Sequence, residues 1–167
     1  MKIIINISTQ TLDLLDDQGL VSRSYPISTA ANGVGQVLGS YCTPLGSHRI
    51  RAKIGANQAP NTVFVRRRPT GEIYTAELGR LHPKRDWILT RILWLSGNEI
   101  GFNRLGACDT MRRYIYIHGT PDSTTLKQPG SKGCIRMRND DLIGLFDIVP
   151  VLTEVSIVMS GAGSPTR

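Results

Sequence analysis

Cysteine is scarce in this chain. It holds three, Cys42, Cys108 and Cys134, so at least one thiol stays unpaired, and their wide spacing matches no zinc pattern. A disulfide scaffold is excluded and a reducing compartment is favoured over an oxidising one. Long apolar runs are missing too. The opening Ile3-Ile4-Ile5-Asn6-Ile7 is broken by Asn6 and is too short for a signal-peptide core, and Thr9-Gln10-Thr11 offers no small-residue cleavage site. Nothing approaches transmembrane length. The expectation is a cytoplasmic protein without membrane insertion; a chain trimmed of a leader would be periplasmic. Internal repeats and low-complexity tracts are also absent, and no metal or cofactor is expected.

Acidic residues are outnumbered, 13 against 20 Lys plus Arg, for a formal charge of +7. That balance favours acidic partners: nucleic acid, an anionic surface, or a small substrate carrying carboxylates. The densest run, Arg66-Arg67-Arg68, leads straight into Pro69 and reads as a solvated turn rather than a binding patch. Specific nucleic-acid recognition would rest on charge and that run alone, and is not expected.

With 17 Gly and 9 Pro in 167 residues, turns are frequent, as in a β-rich domain. Residues 3–8, 11–16, 20–27, 50–54, 63–65, 73–75, 88–94, 114–117 and 155–159 are strand candidates, the first three forming a meander. One helix stands out: Asn139 can cap it, and Asp140 and Asp141 suit its first turn. Leu142, Leu145, Phe146 and Val149 fall on one face before Pro150 stops it. The predicted fold is mainly β, a sandwich or barrel with one packed helix and long loops. It spans residues 1–160 as one domain, with 161–167 as a flexible tail. Residues 76–110, long and irregular, are the candidate lid or substrate wall.

Chemistry concentrates in Tyr114-Ile-Tyr-Ile-His118-Gly119-Thr120 and Pro129-Gly130-Ser131-Lys132-Gly133-Cys134-Ile135-Arg136-Met137. An apolar strand delivers His118 to its end, where Gly119 lets the chain turn away. Sixteen residues on, Gly130 and Gly133 bracket a turn presenting Cys134. A thiol attacks as its thiolate and needs a base, and His118 is the best candidate. Gly133 leaves the N–H groups at the turn unobstructed, so that they could hold an oxyanion. A buried, inert Cys beside a strand-end His is the competing reading of that spacing alone.

These motifs resemble the L,D-transpeptidase (YkuD-type) catalytic domain. His118-Gly119 matches its His-Gly pair, and Ser131, Gly133, Cys134, Ile135 and Arg136 match its Ser/Thr-His-Gly-Cys turn. Thr43-Pro44-Leu45-Gly46 looks like its Thr-Pro-x-Gly loop. One departure is Lys132, where the family carries a second histidine. The resemblance implies Cys134 as nucleophile, His118 as base and Gly133 in the catalytic turn, with Ser131, Lys132, Arg136 and Gly119 towards substrate. Lys132 either grips a carboxylate or points to solvent; Arg136 either binds substrate or braces the loop; Ser131 either orients a neighbour or caps the turn. Peptidoglycan stem peptides are the implied partner, cut between a diamino acid's L-centre and terminal D-alanine through a thioester. With no export signal, an L,D-carboxypeptidase trimming recycled tetrapeptides is expected. A cross-linking L,D-transpeptidase and a stem-binding module without turnover are the alternatives. Tyr116, Trp87 and Trp94 read as packing, Cys42 and Cys108 as inert thiols, and His48 and His82 as structural or exposed.

Overall fold

A computed structural model describes residues 1–159; the expected tail at 161–167 lies outside them. The strands are β1 (Lys2–Asn6), β2 (Thr11–Leu15), β3 (Val21–Ser28), β4 (Gly46–Ile54), β5 (Thr62–Val65) and β6 (Arg68–Ile73). After helix α1 (Ala76–Leu81) come β7 (Ile88–Gly97), a 3₁₀ turn at Gly106–Cys108, β8 (Tyr116–Gly119) and β9 (Ile135–Met137). Helix α2 (Asn139–Ile148) and β10 (Glu154–Val158) finish the chain.

The strands make one sheet that closes on itself, running β4, β10, β1, β2, β3, β9, β8, β7 and back to β4, with β5 and β6 branching from β7. Closure removes exposed edges along the ring. Residues alternate in and out along β1 and β2, and the inward set (Ile3, Ile5, Leu12, Leu14) is at most 2% exposed. Leu142, Leu145 and Phe146 of α2, with Val149 just after it, join the same core, as their spacing requires. Helix α1, capped by the Thr75 hydroxyl on the Leu78 N–H, buries nothing. One packed helix is therefore the right description.

Two local expectations need correction. Asn139 is not the cap of α2. Arg138 holds that position without a side-chain hydrogen bond to the helix N-terminus, its guanidinium donating to the Asp122 carbonyl instead (2.9 Å). Asn139 instead turns inward, accepting from Thr90 Oγ1 (2.7 Å) and donating to the Thr120 carbonyl (3.1 Å) and Asn61 Oδ1 (3.0 Å). Residues 76–110 are not a long irregular stretch. Their centre is β7, nearly all buried because β4 and β5 pair along one of its edges and β8 along the other. Of the two roles expected of residues 76–110, lid or substrate wall, the wall is taken in part by Asp86 and Ile88, which line the main cavity. At Thr90 and Arg91 β7 bulges, so the ladder passes from Leu89 opposite Gly119 directly to Ile92 opposite His118.

His48 on β4 is fully buried, with Nδ1 3.0 Å from the Gly46 carbonyl and Nε2 3.0 Å from Thr110 Oγ1. Burial lowers its pKa from 6.5 to about 4. The folded protein thus binds fewer protons than the unfolded chain between those values. Its contribution is full above pH 6.5 and is lost as pH falls towards 4, amounting to about 3 kcal/mol. Denaturant unfolding at pH 7 and pH 4.5 should show this loss, and His48→Gln should flatten it.

Candidate active site

The parallel pairing of β8 with β9 sets the site. Ile117 lies opposite Ile135 and His118 opposite Arg136. Side chains alternate across a strand, so Ile115, Ile117, Ile135 and Met137 enter the main core. Tyr116, His118, Cys134 and Arg136 then share the other face. Cys134 and His118 both line a cavity of about 400 Å³ on that face. The thiol and the imidazole thus lie on one side of the sheet.

A hydrogen-bonded frame holds the cysteine turn. The Gly130 and Ser131 N–H groups both donate to the Thr29 carbonyl, at 2.8 and 2.9 Å. Ser131 Oγ accepts from the Gly133 N–H (3.2 Å) and donates to the Cys134 carbonyl (2.5 Å). Gly133 has φ +124, and a Cβ there would press on the Cys42 carbonyl and Ile115. Thr43 Oγ1 donates to the Gly133 carbonyl (2.9 Å) while accepting from the Ala30 N–H (3.0 Å). The Thr-Pro-x-Gly loop thereby braces the cysteine turn from the far side of the chain. Thr43→Val keeps the volume but leaves a buried carbonyl and a buried N–H unpaired. It should cost about 2 kcal/mol in chemical denaturation and slow reaction at Cys134 more than it weakens binding.

His118 is buried (1% exposed), with Nδ1 2.7 Å from the Gly119 carbonyl. A carbonyl only accepts, so Nδ1 carries the proton and Nε2 keeps its lone pair. Burial holds the imidazole below its ordinary pKa, although Asp86 and the Gly119 carbonyl pull the other way. Cys134 keeps part of its surface open to the cavity, yet the protein packed around its sulfur pushes the thiol up to about 12. The resting pair at neutral pH is a neutral thiol and a neutral imidazole. Cys134 Sγ donates to the Tyr114 carbonyl and accepts from the Tyr116 N–H, both at 3.3 Å. Among the described residues it has no hydrogen bond to His118.

The remaining predicted residues fall into two groups. Lys132 is exposed and lines the cavity, as does Ser131, whose hydroxyl is engaged by the turn. Arg136 and Gly119 do not line it. Arg136 donates to Ser28 Oγ (2.8 Å), and its guanidinium occupies the space a Gly130 side chain would need. Gly119 is a close-approach glycine: a Cβ there would meet Asn139 Oδ1 and lie 2.6 Å from the Leu89 carbonyl.

Several wall residues escaped the sequence reading. Arg66 and Arg67 turn the β5–β6 hairpin with positive φ and line the cavity. Arg67 stacks on Trp94 (4.6 Å) and Tyr114 (4.8 Å) and donates to Tyr116 Oη (3.0 Å). Arg113, fixed on the Gly35 (3.0 Å) and Cys42 (2.6 Å) carbonyls, adds another cation. Arg66, Arg67, Arg113 and Lys132 thus face a single acid, Asp86, around the thiol. The Arg66-Arg67-Arg68 run was the available signal, and it is a turn, but one folded over the site.

Comparisons with known proteins bear on the family and the fold. The "Probable L,D-transpeptidase ErfK/SrfK" of Salmonella typhimurium is 50% identical over 46 residues, covering 28% of this chain and 15% of that protein. The L,D-transpeptidase crystal structure from Xylanimonas cellulosilytica covers 94% of this chain at TM-score 0.55 and 17% identity. L,D-transpeptidase 3 from Mycobacterium tuberculosis covers 93% at TM-score 0.56 and 15% identity. The chain spans 60% of each of those two structures, and their likeness is one of fold. The YkuD family, the L,D-transpeptidase catalytic domain, matches residues 1–157, so this chain belongs to the L,D-transpeptidase catalytic domain family.

Proposed function

We propose that the protein is a cysteine acyl-transfer enzyme acting on peptidoglycan stem tetrapeptides. The observation carrying this reading is the shared cavity of Cys134 and His118, with Nδ1 of the imidazole committed to the Gly119 carbonyl. The thiol exchanges the Tyr114 carbonyl for His118 Nε2 as its proton acceptor, and sulfur attacks the carbonyl carbon between the diamino acid's L-centre and D-alanine. The Cys134 N–H supports the oxyanion, since the Gly133 N–H already serves Ser131. As the C–N bond breaks, His118 returns its proton to the leaving amine, D-alanine departs and a thioester remains on Cys134. The arginine-rich wall and Lys132 suit a stem bearing several carboxylates.

Water completes the reaction as an L,D-carboxypeptidase: it gives a proton to His118 as it attacks the thioester, the carbon–sulfur bond breaks to free a tripeptide, and His118 returns the proton to the Cys134 sulfur. A catalytic thiol in a chain with three cysteines suits a reducing, cytoplasmic setting, where water is the abundant acceptor. An amine from a second stem would instead give a cross-link. Incubation with a soluble tetrapeptide, with and without an added amine acceptor, followed by mass spectrometry, separates the outcomes. Free tripeptide with D-alanine is expected; predominant cross-linked dimer would assign a transpeptidase.

A further inference from the structure

A second basic hollow lies apart from the catalytic cavity and shares none of its lining residues. Arg49 on β4 and Ser96 on β7 are direct cross-strand partners, and Arg51 follows at the β4 bulge. The connection from β7 to β8 closes over them with Arg104 and Arg112, enclosing about 190 Å³. The one carboxylate in the lining, Asp109, accepts from the Leu105 (2.7 Å) and Arg112 (2.9 Å) N–H groups. It knits its own loop and offsets part of the Arg112 charge, leaving three further guanidinium groups in the lining.

What distinguishes this hollow is how little its donors are used. Among the described residues, none of the four guanidinium groups has a salt bridge or donates a side-chain hydrogen bond to the protein. Ser96 is 8% exposed, and its buried hydroxyl has no partner. The buried Nε of Arg49 has none either. Buried polar groups are normally satisfied, and gathering four like charges costs repulsion, so the arrangement asks for an anion with many acceptor sites. A carboxylate brings two oxygens and one charge. A phosphoryl group brings three or more oxygens and up to two charges, a closer match to four forks and a hydroxyl.

We infer that this hollow is a phosphoryl-binding site, formed by Arg49, Arg51, Arg104, Arg112 and Ser96 and independent of the catalytic thiol. The source is either a small free phosphate compound or a terminal phosphomonoester on a polymer. Calorimetric titration of the full chain at low ionic strength with inorganic phosphate and pyrophosphate tests it. Saturable one-site binding is expected, weakened about tenfold by Arg49→Gln, Arg51→Gln or Arg112→Gln and about fivefold by Ser96→Ala. Arg23→Gln, on the exposed part of β3, and Cys134→Ala should bind as the parent does. Arg51 and Arg112 are exposed, so their variants are expected to fold, which circular dichroism checks. Tighter binding of an oligomer ending in a phosphomonoester than of glycerol phosphate would assign the polymer, and equal binding the free compound. Non-saturable uptake, equal weakening by Arg23→Gln, or equal affinity for citrate would overturn the inference.

Discussion

Cys134→Ala protein releases no measurable D-alanine from a tetrapeptide and forms no covalent adduct with a carbapenem-type acylating probe. The expected fall in kcat is at least about 10⁴-fold, because without sulfur the covalent route disappears and only binding and dipole stabilisation remain. Folding should be unaffected to within about 1 kcal/mol: the sulfur makes only two weak hydrogen bonds, to the Tyr114 carbonyl and the Tyr116 N–H, and fills little of the main core. Binding of the tetrapeptide by the variant should persist, since the cationic wall is untouched. A variant that still turned over would remove the enzymatic account, and a parent protein that never acylated would leave a stem-binding module.

His118→Ala should lower kcat by about 10³- to 10⁴-fold with little change in substrate affinity, because the imidazole acts on the proton rather than on the bound stem. The pH behaviour is more particular. Because burial holds His118 below its ordinary range, the acid limb of kcat/KM should lie below pH 6.5, where the base takes up a proton and activity falls. With burial pushing the thiol well above its ordinary range, only a small fraction is ionised at pH 7. Alkylation of Cys134 by iodoacetamide, followed by peptide mapping, should therefore be slow at pH 7 and rise about tenfold per pH unit up to pH 9. A preformed thiolate–imidazolium pair would instead give fast alkylation with a flat profile across that range.

Local patterning carried much of the fold. Alternation in β1 and β2 and the spacing of Leu142, Leu145, Phe146 and Val149 are properties of single elements, and these form where expected. Strand β9 is three residues long and emerges directly from the cysteine turn, so it leaves no period to read. Asn139 looked like a cap because Asn suits that role; its actual partners, Thr90, Thr120 and Asn61, are distant in sequence. The site divides in the same way. Cys134 and His118 were visible through their flanking glycines, which the structure explains by a positive φ at Gly133 and backbone crowding at Gly119. Arg67 was not, because its role depends on Trp94, Tyr114 and Tyr116, which only the β5–β6 hairpin folding back over β7 and β8 brings within reach.

The most direct measurement is an acid quench of the protein during tetrapeptide turnover, with proteolysis and mass mapping of all three cysteines. The account predicts a hydroxylamine-labile acyl-tripeptide on the peptide containing Cys134, absent from His118→Ala at the same time point. An acyl group on Cys42 or Cys108, or D-alanine release with no acylated cysteine at any time, would contradict it.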